Sequence, residues 1–183
     1  NLKNKGKYIS PEELNKLIEE NKDFVLVDAR NNYESKIGKF KNALTPEIEL
    51  FRDFKKIIKD LMKFKDKQIV TYCTGGVRCE KASAFLKENG FSNVFQLEDG
   101  ILNYIDKFPD RHFEGRCFVF DNRLSIPSGS KNNEISFCEF CHIPSGRYVN
   151  CKNVNCDKMF LSCEECCQNM KGACSKKCLA KAF

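Results

Sequence analysis

The chain has 183 residues, of which 42% are hydrophobic and 31% are charged, and its formal net charge is +6. This composition is typical of a soluble globular protein and excludes an intrinsically disordered chain. No apolar run approaches the roughly 20 residues that a membrane-spanning helix requires, so we expect a cytoplasmic protein without a membrane partner. The cysteine content is unusual, because nine of the twelve cysteines lie between residues 138 and 178.

The first part of the chain predicts alternating helices and strands. Ser10 is a suitable N-cap, Pro11 fits the first helical position and Glu13 completes a capping box. These three residues predict a helix that begins at residue 11. Three largely apolar runs are typical of strands that are covered on both faces. They are residues 24–27, 68–72 and 94–97.

Helical patterns separate these strands. Helical spacing of apolar residues predicts a second helix before the strand at 68–72. The lysines that lie between these apolar residues indicate either a solvent-exposed helix face or a nucleic-acid contact. A third helix is predicted over residues 78–89, ending at Gly90, and a short one ends near Phe108. The apolar residues of the second helix are Leu50, Phe54, Ile57, Ile58 and Leu61.

This alternation predicts an α/β fold, with a parallel sheet and helices on both faces. Ligands bind such sheets in the crevice at the C-terminal ends of the strands. Four residues with functional side chains follow the predicted strands at that edge. They are Asp28, Arg30, Cys73 and Asp99.

The stretch YCTGGVRCEKAS, residues 72–83, joins a predicted strand to a helix. Such a turn directs several backbone N–H groups into one concavity, which lowers the pKa of a cysteine thiol there. We therefore predict that Cys73 is a catalytic nucleophile, although a buried structural cysteine is the alternative. Gly75 and Gly76 would let the backbone curl without Cβ clashes, and Arg78 would reinforce the anion site or brace the loop. The predicted active-site loop is Thr74, Gly75, Gly76, Val77 and Arg78.

The pair Asp28 and Arg30, and the cysteine Cys79, have two interpretations each. Asp28 and Arg30 either brace the active-site loop or form a plain structural ion pair. Cys79, in the first turn of the helix, is either a resolving thiol or a packed small hydrophobic residue. Cys117 lies in an apolar, strand-like run and is expected in the core.

The spacing of the C-terminal cysteines predicts structural metal sites. Four close pairs supply eight thiolates, enough for two tetrahedral zinc ions with four cysteines each. Alternate pairing would place Cys138, Cys141, Cys163 and Cys166 on one ion; sequential pairing, Cys167 in place of Cys166, and His142 as a substitute ligand remain open. Disulfides are the less favoured alternative. The predicted ligands are Cys138, Cys141, Cys151, Cys156, Cys163, Cys166, Cys174 and Cys178.

These patterns divide the chain into two parts. We predict an α/β domain over residues 1–124, a linker over 125–136 that is rich in Ser, Gly and Asn, and a cysteine-rich zinc-binding module over 137–183. The module has few apolar residues and is expected to need metal to fold. Its basic residues and Tyr148, which would stack on a base, are candidates for RNA contact, and binding of a partner protein is the alternative.

The loop and its surroundings resemble a known family. Cys-x-x-Gly-x-Arg after a strand, with Asp-x-Arg ending an earlier strand and Gly-Ile-Leu after a later one, resembles the rhodanese domain. The cell-cycle dual-specificity phosphatases share that fold, but their loop has one residue more between Cys and Arg than the four that separate Cys73 from Arg78. Three motifs together are similar to the tRNA uridine hydroxylases of the TrhO (YceA) family. They are residues 37–43, 73–83 and 115–123.

That resemblance implies a rhodanese-like sheet and oxygen-dependent hydroxylation of uridine at carbon 5, at wobble position 34 of tRNA, with Cys73 as the catalytic residue. It also implies a further N-terminal domain, so we expect this sequence to be part of a longer protein. The partners would be tRNA and a sulfur or oxidant donor, and the sequence has no flavin or nicotinamide signature. The alternatives are a sulfurtransferase that carries a Cys73 persulfide and a non-catalytic zinc adaptor.

Overall fold

The structure is a computed structural model that describes residues 4–131 and 133–181. Two short 3₁₀ helices, Phe51–Ile57 and Met62–Phe64, flank the short α-helix Ile58–Leu61. In chain order the strands and α-helices are β1 (Lys7–Ile9), α1 (Pro11–Glu19), β2 (Phe24–Asp28), α2 (Asn32–Ile37), β3 (Gly38–Phe40), α3 (Ile58–Leu61), β4 (Gln68–Tyr72), α4 (Val77–Glu88), β5 (Val94–Leu97), α5 (Gly100–Lys107), β6 (Phe113–Phe118), β7 (Ser125–Pro127), β8 (Tyr148–Asn150), β9 (Met159–Leu161), α6 (Glu164–Asn169) and α7 (Lys176–Leu179).

The centre of the N-terminal part is a parallel sheet with the strand order β1-β5-β4-β2. The predicted parallel sheet is confirmed. Its neighbouring strands β2 and β4 end together, because Asp28 is the register partner of Tyr72. The loop that follows β4 therefore begins beside the end of β2, at the edge where ligands bind in such sheets.

Helices cover both faces of this sheet, as the apolar runs predicted. Side chains of successive strand residues point to opposite faces. Leu26 and Val70 pack in one buried cluster with side chains of α1 and α5. Val25 and Ile69 pack in a second cluster with side chains of α3 and α4. Because both faces are buried, most positions of the central strands β4 and β5 are apolar. The capping box predicted at Ser10 is also present.

The second predicted helix is wrong in form. Leu50 lies outside it, Phe51–Ile57 is a 3₁₀ helix and only Ile58–Leu61 is α-helical. Phe54 and Ile57 are three residues apart and both are buried. This spacing fits a 3₁₀ helix with three residues per turn as well as it fits an α-helix, so the periodicity alone did not separate the two.

The segment predicted as a linker is packed against the rest of the chain where the structure describes it. It begins as Ser125–Pro127, strand β7, which pairs with β6 in the antiparallel sheet β3-β6-β7. The carboxylate of Asp110 then accepts hydrogen bonds from the backbone N–H groups of Ser130 and Lys131. Asn132 and the chain ends at 1–3 and 182–183 lie outside the described residues, and the domain boundaries remain a prediction.

The cysteine-rich part contains the hairpin β8-β9 and packs on the α/β part through an apolar cluster. In this cluster Tyr148 and Leu161 of the hairpin contact Ile37 and Phe118. The Tyr148 hydroxyl donates a hydrogen bond of 2.9 Å to the backbone carbonyl of Tyr33. Tyr148 is thus buried, and the prediction that it stacks on a base is wrong. Among the described residues, no helix is long and apolar enough to cross a membrane.

Candidate active site and metal centres

Cys73 lies directly after β4, in the loop that leads to α4. The Cys79 thiol and the backbone N–H groups of Cys79 and Arg78 donate hydrogen bonds to its sulfur, and the Arg78 guanidinium adds a positive charge. Together these effects lower the pKa of Cys73 to about 6, although burial of the side chain opposes them. At neutral pH the side chain is therefore largely a thiolate, which is the nucleophilic form of cysteine.

The two glycines of the loop have different reasons to be there. Gly76 has φ +83, a left-handed conformation that side chains with a Cβ seldom adopt. A Cβ at Gly75 would meet no atom within 4 Å, and Gly75 does not have a positive φ. The predicted steric need for glycine therefore applies to Gly76 and is wrong for Gly75, which faces open space.

The N-terminal turn of α5 holds the loop from one side. The backbone N–H of Ile101 donates to the carbonyl of Cys73 at 2.9 Å, and that of Leu102 donates to the carbonyl of Thr74 at 3.2 Å. Gly100 permits this contact, because a Cβ there would lie 2.4 Å from the Cys73 carbonyl oxygen. The Gly-Ile-Leu stretch, residues 100–102, thus fixes the backbone of Cys73 and Thr74 through these hydrogen bonds.

Glu34 of α2 holds the loop from the other side, and sequence reasoning missed it. Its buried carboxylate accepts hydrogen bonds from Arg78 Nη1 at 2.5 Å and Nη2 at 2.7 Å. The Thr74 hydroxyl donates to the same carboxylate at 3.1 Å. Arg78 therefore braces the loop, in addition to placing its positive charge near the Cys73 sulfur. The capping pattern from Asn31 to Glu34 indicates the start of α2, but it gives no sign that Glu34 also reaches the loop.

Asp28 and Arg30 form a fully buried ion pair, with 2.7 Å between Arg30 Nη2 and Asp28 Oδ2. The Arg30 side chain also donates a hydrogen bond to the carbonyl of Gly38, the first residue of β3. These contacts join the end of β2 to the neighbouring antiparallel sheet. Of the two interpretations, the structure favours the structural ion pair, since Arg78 of the active-site loop is held by Glu34.

The two other cysteines of the N-terminal part are buried. Cys79 lies beneath the loop, and burial together with its hydrogen bond to the Cys73 sulfur raises its pKa well above the ordinary value. Burial also raises the pKa of Cys117 to about 12, in agreement with the predicted core position. Both are therefore protonated at neutral pH, and Cys79 acts as a hydrogen-bond donor to Cys73.

A cavity of about 410 Å³ opens over the Cys73 loop. One wall consists of loop residues, including Val77, whose side chain is 74% exposed. The opposite wall comes from the turn between β6 and β7, which sequence reasoning did not assign to the site. The residues of that turn in the cavity wall are Val119, Phe120, Asp121 and Arg123, and Leu102 of α5 also lines it.

The C-terminal cysteines gather into two groups of four. Within each group the sulfur atoms all lie within 4.8 Å of one another. The grouping is the alternate one, with the first and third close pairs on one site and the second and fourth on the other. The groups are Cys138, Cys141, Cys163 and Cys166, and Cys151, Cys156, Cys174 and Cys178.

The spacing of the sulfurs fits a tetrahedral metal ion. A zinc–sulfur bond of about 2.3 Å implies a sulfur–sulfur distance of about 3.8 Å in a tetrahedron. The distance is 3.7 Å between Cys141 and Cys163, and 3.7 Å between Cys156 and Cys174. The backbone N–H of Cys166 also points at the Cys163 sulfur, at 3.4 Å, which stabilises a thiolate there. Each group can therefore hold one metal ion.

The remaining ligand candidates stand apart from these groups. Neither Cys167 nor His142 belongs to a metal-binding cluster among the described residues, although both neighbour a cysteine that does. His142 is exposed, with φ +60. All twelve cysteines lie in the described part of the chain and are free, without a disulfide.

Two family models match the chain. The rhodanese-like domain model matches residues 10–107, and a second model, described as rhodanase C-terminal, matches residues 114–179. The chain belongs to the rhodanese-like family. The first match ends just before β6, and the second covers β6, β7 and the cysteine-rich part.

Two similar curated proteins carry the same name. A protein from Cytophaga hutchinsonii, named tRNA uridine(34) hydroxylase, is 46% identical over 177 residues, which are 96% of this chain and 56% of that protein. A protein of the same name from Bdellovibrio bacteriovorus is 44% identical over 93% of this chain and 49% of its own length. The chain spans about half the length of these relatives.

Solved structures support the fold. A rhodanese-like domain from Anabaena sp. is 19% identical, with a TM-score of 0.50 over 74% of this chain and 96% of that domain. A thiosulfate sulfurtransferase from Pseudomonas aeruginosa is 16% identical, with a TM-score of 0.51 over 60% of this chain and 20% of that protein. At this identity the likeness shows the rhodanese-like fold alone.

Proposed function

We propose that the protein of which this chain is a part hydroxylates carbon 5 of uridine 34 in tRNA. The observation that carries the proposal is the Cys73 thiolate under an open cavity, with a pKa lowered to about 6. The shared name of the relatives from Cytophaga hutchinsonii and Bdellovibrio bacteriovorus supports the choice of substrate. Because the chain spans about half of each, the rest of the protein is expected to contribute to tRNA binding.

In the proposed mechanism the Cys73 thiolate adds to carbon 6 of the uracil ring. The new sulfur–carbon bond moves the electron pair of the carbon 5–carbon 6 double bond into an enolate, whose charge rests on oxygen 4. Carbon 5 then becomes electron-rich enough to take up one oxygen atom from an oxidant. Loss of the carbon 5 proton and departure of the Cys73 sulfur restore the double bond and the thiolate.

Hydroxylation of carbon 5 is a two-electron oxidation of the uracil ring. With dioxygen, one oxygen atom goes to carbon 5 and the other leaves as water, which requires two electrons and two protons from a reductant. With a hydroperoxide, the oxygen is already at the required oxidation level and one water or alcohol leaves. Arg78 and the backbone N–H groups of the loop keep the sulfur anionic, so it is both a good nucleophile and a good leaving group.

We further propose that the resident metal is zinc, with one ion in each cysteine group. Four thiolates around a tetrahedral centre are typical of structural zinc and leave no open position for water. The metal would hold the C-terminal module together and take no part in the reaction. Thiolate-ligated zinc and a tRNA substrate both favour the cytoplasm, where thiols stay reduced.

Nucleoside mass spectrometry of tRNA tests the proposal. A host that lacks 5-hydroxyuridine would express the full-length protein, either unchanged or with Cys73→Ala. We expect 5-hydroxyuridine only with the unchanged protein, and Cys117→Ala, which removes a buried thiol away from the cavity, serves as the control. If folded, zinc-loaded protein yields none while it transfers sulfur from thiosulfate to cyanide, sulfur transfer replaces hydroxylation as the function.

A further inference from the structure

The cavity over Cys73 combines apolar side chains with the charged residues Arg78, Asp121 and Arg123. Three large apolar side chains around it are exposed: Val77 of the loop, Leu102 of α5 and Phe120 of the β6–β7 turn. A small sulfur anion would gain nothing from these three apolar side chains, because it is bound by charge and hydrogen bonds. Exposed apolar groups that converge on a reactive atom instead fit a ligand with flat apolar faces.

Phe120 is the aromatic residue among these three, and 68% of the residue is exposed. The turn that carries it is closed by hydrogen bonds from Val119 N–H to Leu124 carbonyl and from Leu124 N–H to Asp121 carbonyl. The ring of buried Phe118 packs against it at 5.2 Å, with an interplanar angle of 77°. Phe118 therefore supports Phe120 from one side, while Phe120 lines the cavity and remains largely exposed.

The position of Phe120 relative to the reactive loop is also defined. The Arg78 guanidinium carbon lies 5.5 Å from the centre of its ring. Arg78 is in turn held by Glu34, which is part of the brace behind Cys73. A flat group that rests on Phe120 would thus lie in the same cavity as the Cys73 sulfur.

We propose that Phe120 is the stacking platform for the target pyrimidine, and that it holds the unstacked base in the cavity with its face on the Phe120 ring. This inference rests on the proposed function, since it assumes a nucleobase substrate. Single-stranded bases are recognised in this manner, by aromatic side chains on which their faces stack. Val77 and Leu102 supply apolar contacts elsewhere in the cavity, and carbon 6 of the base is presented to Cys73.

The test is a protection experiment that measures binding without the reaction. Iodoacetamide alkylates Cys73 of the full-length protein, and peptide mass spectrometry measures the alkylation rate at increasing RNA concentration. Two RNAs are compared: an anticodon stem-loop with uridine at position 34 and the same stem-loop with an abasic residue there. The variants are Phe120→Leu, which removes the aromatic face, Phe120→Trp, which keeps one, and Phe137→Leu as control. Phe137 is 56% exposed and does not line the cavity.

The quantity compared is the RNA concentration that halves the alkylation rate of Cys73, called the half-protecting concentration. For the uridine stem-loop, we expect Phe120→Leu to raise this concentration by about 5- to 100-fold, the range for loss of one base–aromatic stack. Phe120→Trp should restore the unsubstituted value, and Phe137→Leu should not change it. With the abasic stem-loop, Phe120→Leu and the unsubstituted protein should agree within about twofold, because the base that stacks is missing.

Two results overturn the inference and leave the proposed function in place. In one, Phe120→Leu binds the uridine stem-loop as tightly as Phe137→Leu does. In the other, it weakens binding of both stem-loops equally, which would assign Phe120 to the RNA backbone. If neither RNA protects Cys73 in the unsubstituted protein, the proposed function itself fails and the inference fails with it.

Discussion

Glu34 and Arg78 form a bidentate ion pair behind Cys73, with nitrogen–oxygen distances of 2.5 and 2.7 Å. Glu34 belongs to α2 and Arg78 to the first turn of α4, so the pair joins two helices across the end of the parallel sheet. The carboxylate is fully buried and the guanidinium is partly exposed. The shape of the reactive loop thus depends on a side chain 44 residues away in the chain.

Substitution Glu34→Gln should destabilise the protein by about 2–4 kcal/mol, because it leaves the partly buried Arg78 charge without its counter-ion. It should also slow alkylation of Cys73 at pH 7, since the loop would lose its brace. Denaturant unfolding of the zinc-loaded protein measures the first effect. Glu80→Gln, at an ion pair with Lys5 near the surface, is the matched control and should cost far less stability than Glu34→Gln, because solvent screens an exposed pair. Equal losses in the two variants would refute the bracing role.

The reactivity of Cys73 should depend on pH with a midpoint near pH 6. Alkylation by iodoacetamide requires the thiolate, so the rate should rise as pH increases through the pKa and then level off. Cys79→Ala removes the thiol that donates to the Cys73 sulfur, and it should move the midpoint to higher pH. Cys117→Ala should leave it unchanged. An unshifted midpoint in Cys79→Ala would show that the loop N–H groups and Arg78 alone hold the thiolate.

Sequence patterns predicted the parts of the fold that depend on local chemistry. The strand 68–72 and the capping box at Ser10 are examples. Burial on both faces produces a short apolar run, and helix capping produces a pattern of a few adjacent residues, so both can be recognised locally. The Cys73 loop was found for the same reason. The four close cysteine pairs predicted two four-cysteine sites, since a pair that grips one ion must lie close in sequence.

Features that depend on distant contacts were missed. Nothing within α2 indicates that Glu34 would meet Arg78, and nothing around Phe120 indicates a place beside the Cys73 cavity. The predicted linker contains Ser125–Pro127, whose strand partner β6 determines its structure although its composition is typical of a flexible segment. Tyr148 looked available to RNA because burial by another part of the chain leaves no local signal.

The grouping of cysteines predicts which of two adjacent thiols holds metal. Cys166→Ser should remove one ligand of the first group and lower the zinc content by up to one ion per protein, as measured by elemental analysis. Cys167→Ser, one residue further along, should keep the full content, because its sulfur belongs to neither group among the described residues. The opposite pattern would assign the site to Cys167.

The contact between the cysteine-rich part and the α/β part should affect both stability and the cavity. Tyr148 is buried, its ring packs on Phe118 at 5.9 Å, and Phe118 in turn supports Phe120. Tyr148→Ala should therefore cost about 3–5 kcal/mol in denaturant unfolding, from lost packing and the cavity left behind. Tyr148→Phe keeps the ring and should cost about 1 kcal/mol, from loss of the hydrogen bond to Tyr33.

Tyr148→Ala and Tyr148→Phe also show whether the Tyr148 contact affects RNA binding at the Cys73 cavity, apart from its effect on stability. If the contact positions the cavity wall, Tyr148→Ala should weaken protection of Cys73 by the uridine stem-loop under conditions where the protein is still folded. Tyr148→Phe should preserve that protection, because Phe118 keeps its neighbour. Tyr8→Ala, at a half-exposed tyrosine of β1, controls for loss of a ring away from the cavity. Full protection in folded Tyr148→Ala would mean that the β6–β7 turn holds Phe120 without help from the cysteine-rich part.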